Sequence, residues 1–195
     1  MTSRKNQPEN SGSLNPIRFI LIVGPKHSGK TQSSRALQKA TGWETVDLDE
    51  LVEKQTGKSP RELYKEGPEI FRKAEARALA GLINIYKEGK HSLIVAAGGG
   101  IVDNPDAITL LSRHNEIIPV YLDISAGIAW QRILASAKDG ELPPFLNTGN
   151  PKETHLVLHK RRAGAYKAMA RITISAENKS PEEIAREITA SLEIQ

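Results

Sequence analysis

Five short runs of strand-forming residues alternate with longer stretches in which apolar residues recur every three to four positions. We predict β-strands at 18–23, 44–47, 92–96, 117–122 and 172–175, each followed by a helix. Strands that alternate with helices are typical of a parallel sheet with helices on both faces. The pattern therefore predicts an α/β fold in three layers around a five-stranded parallel sheet.

Two helix starts are marked independently of hydrophobicity. Ser59 with Glu62, and Ser180 with Glu183, have the spacing of a capping box, and a proline follows each serine. These side chains satisfy backbone N–H groups that have no partner within the helix. We therefore expect helices to begin at residues 60 and 181.

Two segments do not fit the alternation. Residues 1–16 are rich in Ser, Asn, Pro and charge, so we predict a disordered leader before a single domain at 17–195. Residues 136–151 contain two glycines and three prolines, too many for a helix or a central strand. A loop of this length inside a compact domain is commonly functional, and we predict a mobile lid.

Composition excludes several classes of protein. The chain has 195 residues, of which 38% are hydrophobic, so an ordinary globular core is expected. The absence of cysteine excludes disulfides, thiol nucleophiles and cysteine-bound metals. The net charge is only +4, and acidic residues are interspersed among the basic ones. We therefore expect a cytoplasmic monomer that binds a small molecule, with neither nucleic acid nor membrane as a partner.

A phosphate-binding motif directly follows the first predicted strand. Residues 24–31 read Gly-Pro-Lys-His-Ser-Gly-Lys-Thr, the G-x-x-x-x-G-K-[ST] pattern. In such a loop the backbone N–H groups surround phosphate oxygens, the lysine contacts the β- and γ-phosphates, and the hydroxyl binds Mg²⁺. We predict that Mg²⁺ binds to Thr31 and that His27 acts only through its backbone. The residues predicted to bind ATP are Lys26, His27, Ser28, Gly29, Lys30 and Thr31.

A small kinase fits this loop better than a GTPase. A GTPase needs an N-K-x-D motif to recognise its base, and residues 178–181 read Asn-Lys-Ser-Pro. Two carboxylates, Asp47 and Asp49, stand at the end of the second predicted strand. Strand alternation would place both on one side, next to the phosphate loop, where one holds Mg²⁺ and the other faces the acceptor hydroxyl. The alternative that Asp49 merely caps the next helix stays open.

The chain resembles shikimate kinases in four runs, at 47–53, 57–60, 67–75 and 95–100, and the similarity extends from residue 17 to the C-terminus. The resemblance implies a P-loop kinase fold with a lid. It also implies transfer of the γ-phosphoryl group of ATP to the 3-hydroxyl of shikimate, a step of aromatic amino-acid biosynthesis. Two alternatives stay open: a related kinase for another hydroxylated acid, and a weakly active homologue that serves as a nucleotide-binding module.

The resemblance also implies individual roles. It assigns Mg²⁺ to Asp47, the shikimate hydroxyls to Asp49, and the shikimate carboxylate to Arg72 and Arg162. Independently, three glycines after the third strand allow close backbone approach to a hydroxylated acceptor. We predict Lys30 and Asp49 as the catalytic pair, and a substrate site formed by Asp49, Arg72, Gly98, Gly99, Gly100 and Arg162.

The predicted lid departs from the family pattern. Shikimate kinases carry an arginine there that contacts the nucleotide phosphates, and the matching position here is Pro143. Candidates for a replacement cation are Lys138 and Lys152, and Lys179 and Arg132 are further candidates for contact with the nucleotide. His155 and His159 stand four residues apart without a third ligand, so we predict a solvated helix face there rather than a metal site.

Overall fold

The computed structural model describes residues 18–89, 91–137 and 141–194. The predicted leader at 1–16 and Lys138 lie outside these ranges. Five parallel strands form one sheet in the order β2-β3-β1-β4-β5. They are β1 (Phe19–Val23), β2 (Glu44–Asp47), β3 (Leu93–Ala96), β4 (Ile117–Asp123) and β5 (Ile172–Ser175). Each strand begins and ends within one residue of its prediction, and the α/β fold class is confirmed.

Eight α-helices cover the sheet within the described ranges. They are α1 (Lys30–Thr41), α2 (Leu48–Thr56), α3 (Pro60–Glu66), α4 (Pro68–Gly89), α5 (Pro105–Ser112), α6 (Ala126–Ser136), α7 (Pro151–Met169) and α8 (Pro181–Ser191). Both predicted capping boxes are present, at the starts of α3 and α8. None of these helices is long and apolar enough to cross a membrane.

The central strand shows how the three layers arise. All five residues of β1 are completely buried. Phe19, Leu21 and Val23 pack into the core beneath α2 to α5, whereas Ile20 and Ile22 pack into the core beneath α1, α6 and α8. Because successive side chains of a strand point to opposite faces, one apolar run supplies both cores.

Sheet order determines where the polar loops meet. β1 lies between β3 and β4, and β2 lies on the far side of β3. The phosphate loop after β1, the glycine triplet after β3 and Asp47 at the end of β2 therefore share the carboxyl edge of the sheet. Open α/β sheets bind ligands at this edge.

The predicted lid is partly helical in its described residues. α6 extends to Ser136, and a short 3₁₀ turn spans Pro144–Leu146 with Leu146 completely buried. The Arg61 guanidinium, at the start of α3, forms an ion pair of 2.5 Å with Glu141. The same group donates to the carbonyl oxygen of Leu142 at 3.4 Å. These contacts hold the lid against α3.

Candidate active site

The phosphate loop adopts backbone conformations that favour glycine. Gly24 has a φ of +149° and Gly29 a φ of +95°. A Cβ atom on Gly24 would lie 2.7 Å from the carbonyl oxygen of Leu122, so only glycine fits. The Lys30 ammonium donates to the carbonyl oxygens of Gly24 at 3.0 Å and Pro25 at 2.8 Å. Burial lowers the pKa of Lys30 to about 8, and the charge of nearby Asp49 opposes this effect.

His27 has a larger role than the backbone contribution predicted for it. Its carbonyl oxygen accepts a hydrogen bond from Arg132 Nη1 at 2.9 Å, and its ring Nε2 lies 2.9 Å from Ser136 Oγ. Burial, reinforced by the charges of Lys26, Lys30 and Arg132, lowers the pKa of His27 to about 4. The neutral ring therefore connects the phosphate loop to α6.

Asp47, not Asp49, is the residue that caps the helix after β2. Asp47 Oδ1 accepts from the backbone N–H of Asp49 at 3.0 Å and of Glu50 at 3.4 Å. Its Oδ2 accepts from the Thr31 hydroxyl at 2.7 Å. The expectation of two carboxylates alternating on a strand is wrong, because the helix begins directly after Asp47 and Asp49 lies in its first turn.

Asp49 is half-buried against the glycine triplet. Its Oδ1 has no hydrogen-bond partner within the described residues. A Cβ atom on Gly98 would lie 2.7 Å from this oxygen and 3.1 Å from Glu75 Oε1. Burial raises the pKa of Asp49, as does the charge of Asp47, while Lys30 and Lys26 oppose the rise. The raised pKa makes Asp49 a stronger proton acceptor than an exposed aspartate, and the residue lies next to the phosphate loop.

Glu75 is a buried carboxyl group next to Gly98. Its Oε2 accepts a hydrogen bond from Asn104 Nδ2 at 2.9 Å, and the same amide group donates to the Arg72 carbonyl oxygen at 2.8 Å. Burial raises the pKa of Glu75 to about 7, although the Asn104 hydrogen bond opposes the rise. Glu75 ends the run at 67–75 that resembles the family, whereas nothing in the sequence indicates Asn104, because no motif pairs residues 29 positions apart.

The two predicted carboxylate-binding arginines occupy different surroundings. Arg162 Nε and Nη2 donate to Asp103 Oδ2 at 2.8 and 2.7 Å, and its guanidinium carbon lies 5.4 Å from the centre of the Phe145 ring. Arg162 lines the cleft, whereas the Arg72 side chain is not among the lining residues. Asp103, which orients Arg162, was not identified from the sequence.

One cleft of about 910 Å³ brings most of these groups together, a size suited to small-molecule substrates. Its lining includes every predicted site residue except Arg72, and it also includes Pro143, Pro144 and Phe145 of the lid. Six cationic side chains and three carboxylates line the cleft, so the cleft has an excess of three positive charges that favours a polyanionic ligand. The charged groups are Lys26, Lys30, Arg61, Arg132, Arg162, Lys179, Asp47, Asp49 and Glu141.

The candidates for the lid cation and for nucleotide contact lie in different places. Arg132 and Lys179 line the cleft, and Lys179 Nζ is bound to Glu187 at 2.7 Å. Lys152 instead borders a separate hollow beside Trp130. Lys138 lies outside the described residues.

The prediction for the histidine pair on α7 is wrong for one member. His155 is buried, its Nε2 lies 3.0 Å from the carbonyl oxygen of Ala126, and its ring packs between Trp130 and His159 at centroid distances of 5.5 and 5.6 Å. Hydrophobic packing against α6 covers this face. Across the described residues, no group of three or more His, Asp or Glu side chains could hold a metal ion.

Comparison with known proteins gives a consistent set of matches. The family model for shikimate kinase matches residues 26–193. A shikimate kinase from Synechococcus sp. (strain CC9605) is 32% identical over 169 residues, which are 86% of this chain and 79% of that protein. The shikimate kinase of Corynebacterium efficiens is 30% identical over 90% of this chain and 96% of its own length. Among solved structures, the shikimate kinase of Acinetobacter baumannii in complex with shikimate has a TM-score of 0.78 and 27% identity, covering 92% of this chain and 95% of that one.

Proposed function

Because the chain belongs to the shikimate kinase family, we propose that it transfers the γ-phosphoryl group of ATP to the 3-hydroxyl group of shikimate. The observation that supports this proposal is that a candidate nucleotide site and a candidate acceptor site share one cleft. The phosphate loop lies at one end, and Asp49, the glycine triplet and Arg162 lie at the other. A nucleotide bound at the loop therefore presents its terminal phosphate to a hydroxylated acid.

The nucleotide end is built for phosphate. Backbone N–H groups of the loop precede α1, whose N-terminus carries partial positive charge. The Lys30 ammonium, which donates to two loop carbonyls, is assigned to the β- and γ-phosphate oxygens, because charged acceptors form stronger hydrogen bonds than carbonyls. Lys179, near the start of α8, is assigned a contact with the nucleotide.

The residues present also fit Mg²⁺. The Thr31 hydroxyl and Asp47 Oδ2 are hard oxygen donors that lie 2.7 Å apart in the cleft, the donor type that Mg²⁺ prefers. Thr31 and Asp47 would hold the ion. When bound, Mg²⁺ neutralises charge on the nucleotide phosphates.

The acceptor end supplies an anion site and a base. Two nitrogens of the Arg162 guanidinium donate to Asp103, and we assign the third, Nη1, to the shikimate carboxylate. Arg72 does not line the cleft, so its contact with the carboxylate stays a prediction from the family resemblance. The glycine triplet allows the ring hydroxyls to approach the backbone.

Asp49 is assigned the role of general base. The acceptor hydroxyl oxygen forms a bond to the γ-phosphorus, and the bond between that phosphorus and the β,γ-bridging oxygen breaks. The electron pair of the broken bond stays on ADP. The hydroxyl proton passes to the Asp49 carboxylate, whose raised pKa favours its acceptance, and then to solvent.

A coupled assay tests this proposal directly. Formation of ADP from ATP and Mg²⁺ should depend on shikimate, and ³¹P NMR should identify a phosphate ester on the 3-hydroxyl group. The Asp49→Asn variant should bind ATP normally and lose at least a hundredfold in kcat. ADP formation with another hydroxylated acid but not with shikimate would contradict the acceptor assignment, and nucleotide binding without turnover would indicate a binding module.

A further inference from the structure

The cations that line the cleft differ in how firmly they are held. In the described part of the chain, five of the six have hydrogen-bond or ion-pair partners. These pairs are Lys30 with the Gly24 and Pro25 carbonyls, Arg61 with Glu141, Arg132 with the His27 carbonyl, Arg162 with Asp103, and Lys179 with Glu187. The sixth, Lys26, is exposed and has no such partner among the described residues. Its ammonium can therefore move to a ligand without breaking an existing interaction.

Lys26 lies where the two ends of the cleft meet. It is the third residue of the phosphate loop, and a Cβ atom on Gly99 would lie 3.0 Å from its backbone nitrogen. The loop at Lys26 thus packs directly on the glycine triplet that borders the acceptor. The charge of Lys26 lowers the pKa of both Lys30 and Asp49, so it acts on the phosphate-binding ammonium and on the proposed base.

The lid supplies no competing cation in its described residues. Residues 141–150 read Glu-Leu-Pro-Pro-Phe-Leu-Asn-Thr-Gly-Asn, and their single charge, on Glu141, is paired with Arg61. Phosphoryl transfer spreads negative charge over three equatorial oxygens, and a cation that meets them can be worth orders of magnitude in rate. A mobile cation on another element of the cleft can therefore take this role.

We propose that Lys26 is a catalytic residue that places its ammonium on the transferring phosphoryl group, so that the phosphate loop provides a cation that the described lid residues lack. This inference rests on the proposed function, because it takes ATP as the phosphoryl donor in this cleft. A lysine is suited to the role since its flexible stem lets one compact charge follow the phosphoryl group as it moves.

Steady-state kinetics on Lys26→Met provide the first test. We expect kcat to fall at least tenfold while the KM values for ATP and shikimate change less than threefold, because the lost interaction belongs to the transition state. Lys26→Arg should retain most of the activity. Lys39→Met, which removes an exposed lysine from the last turn of α1, is the matched control and should behave like the parent.

A positional rescue adds specificity to this test. Pro143 lines the same cleft from the lid. Adding Pro143→Arg to Lys26→Met should recover at least threefold in kcat, since a second cation then reaches the same phosphoryl group. An unchanged kcat in Lys26→Met, a loss confined to the KM for ATP, or failure of both arginine variants to recover turnover would overturn the proposal.

Calorimetry of the complex with ADP, Mg²⁺ and aluminium fluoride provides a measurement that does not require the acceptor. Aluminium fluoride imitates the transferring group, so Lys26→Met should weaken this complex at least tenfold and leave the affinity for ADP alone within twofold. Equal effects on both ligands, or no effect on either, would overturn the inference. Absence of shikimate-dependent turnover in the parent would reject the proposed function, while this binding comparison still decides the role of Lys26.

Discussion

The buried carboxyl group of Glu75 should make the folded state less stable as the pH rises from about 4.5 to about 7. The residue is only 1% exposed, and its Oε1 has no hydrogen-bond partner within the described residues. Ionisation there lacks full solvation and adds a second negative charge near Asp49, which explains why the pKa rises to about 7. The substitution that isolates this effect is Glu75→Gln, which stays neutral and keeps an oxygen acceptor for Asn104.

The sign and size follow from proton linkage. Below pH 4.5 the carboxyl group is protonated in both the folded and the unfolded protein, so it carries no penalty. Between 4.5 and about 7 only the folded protein keeps the proton, so stability decreases as pH rises. Each pH unit of this window costs about 1.4 kcal/mol, and the whole window costs about 3 kcal/mol. Above pH 7 both states are ionised and the penalty is constant.

Urea unfolding followed by circular dichroism at pH 5, 6, 7 and 8 measures this difference. Glu75→Gln should match the parent within about 1 kcal/mol at pH 5 and exceed its free energy of unfolding by about 3 kcal/mol at pH 8. Groups that titrate in both proteins cancel in the comparison. Glu88→Gln, at an exposed position near the other end of α4, is the matched control. A difference between Glu75→Gln and the parent that stays constant from pH 5 to 8 would refute the reasoning.

Three further predictions concern the cleft. Lys30→Ala should weaken ATP binding at least tenfold by calorimetry, because a charged hydrogen bond contributes about 1.5–3 kcal/mol; unchanged affinity would contradict the phosphate assignment. Gly98→Ala should lower the free energy of unfolding by about 1–3 kcal/mol, since its Cβ would lie 2.7 Å from Asp49 Oδ1. Gly81→Ala on α4, where a Cβ meets nothing within 4 Å, should instead raise the free energy of unfolding by about 1 kcal/mol. Equal effects of the two substitutions would show that the close approach of Gly98 to Asp49 is unimportant. Arg162→Lys should raise the KM for shikimate about tenfold with little change in kcat, because an ammonium lacks the planar guanidinium that can bind Asp103 and the substrate carboxylate at the same time. A KM equal to that of the parent would place the anion elsewhere.

The sequence by itself determined the elements and the phosphate loop. Apolar alternation and turn residues located all five strands to within one residue, because burial on a sheet imposes its period on neighbouring positions. The capping boxes at Ser59 and Ser180 are equally local, since each joins residues three positions apart. The phosphate loop is local too, because its conformation depends on a run of eight consecutive residues that leads from a strand into a helix.

For the two aspartates at the end of β2, the surrounding structure overturned both local interpretations. The sequence allowed Asp49 either to cap α2 or to alternate with Asp47 along the strand. In the structure Asp47 is held on both sides, by the Thr31 hydroxyl and by the N–H groups of Asp49 and Glu50. Thr31 belongs to another helix, so its contribution to this arrangement depends on how α1 and β2 pack.

The finer geometry of the site was decided by tertiary structure alone. Glu75 and Asn104 are 29 residues apart, Arg162 and Asp103 are 59 apart, and the ion pair of Arg61 joins α3 to the lid. His155 is buried because α6 packs against α7, although its own helix reads as mostly polar. Such contacts depend on the relative placement of whole helices, which is determined by packing across the sheet and leaves no periodic signal near either partner.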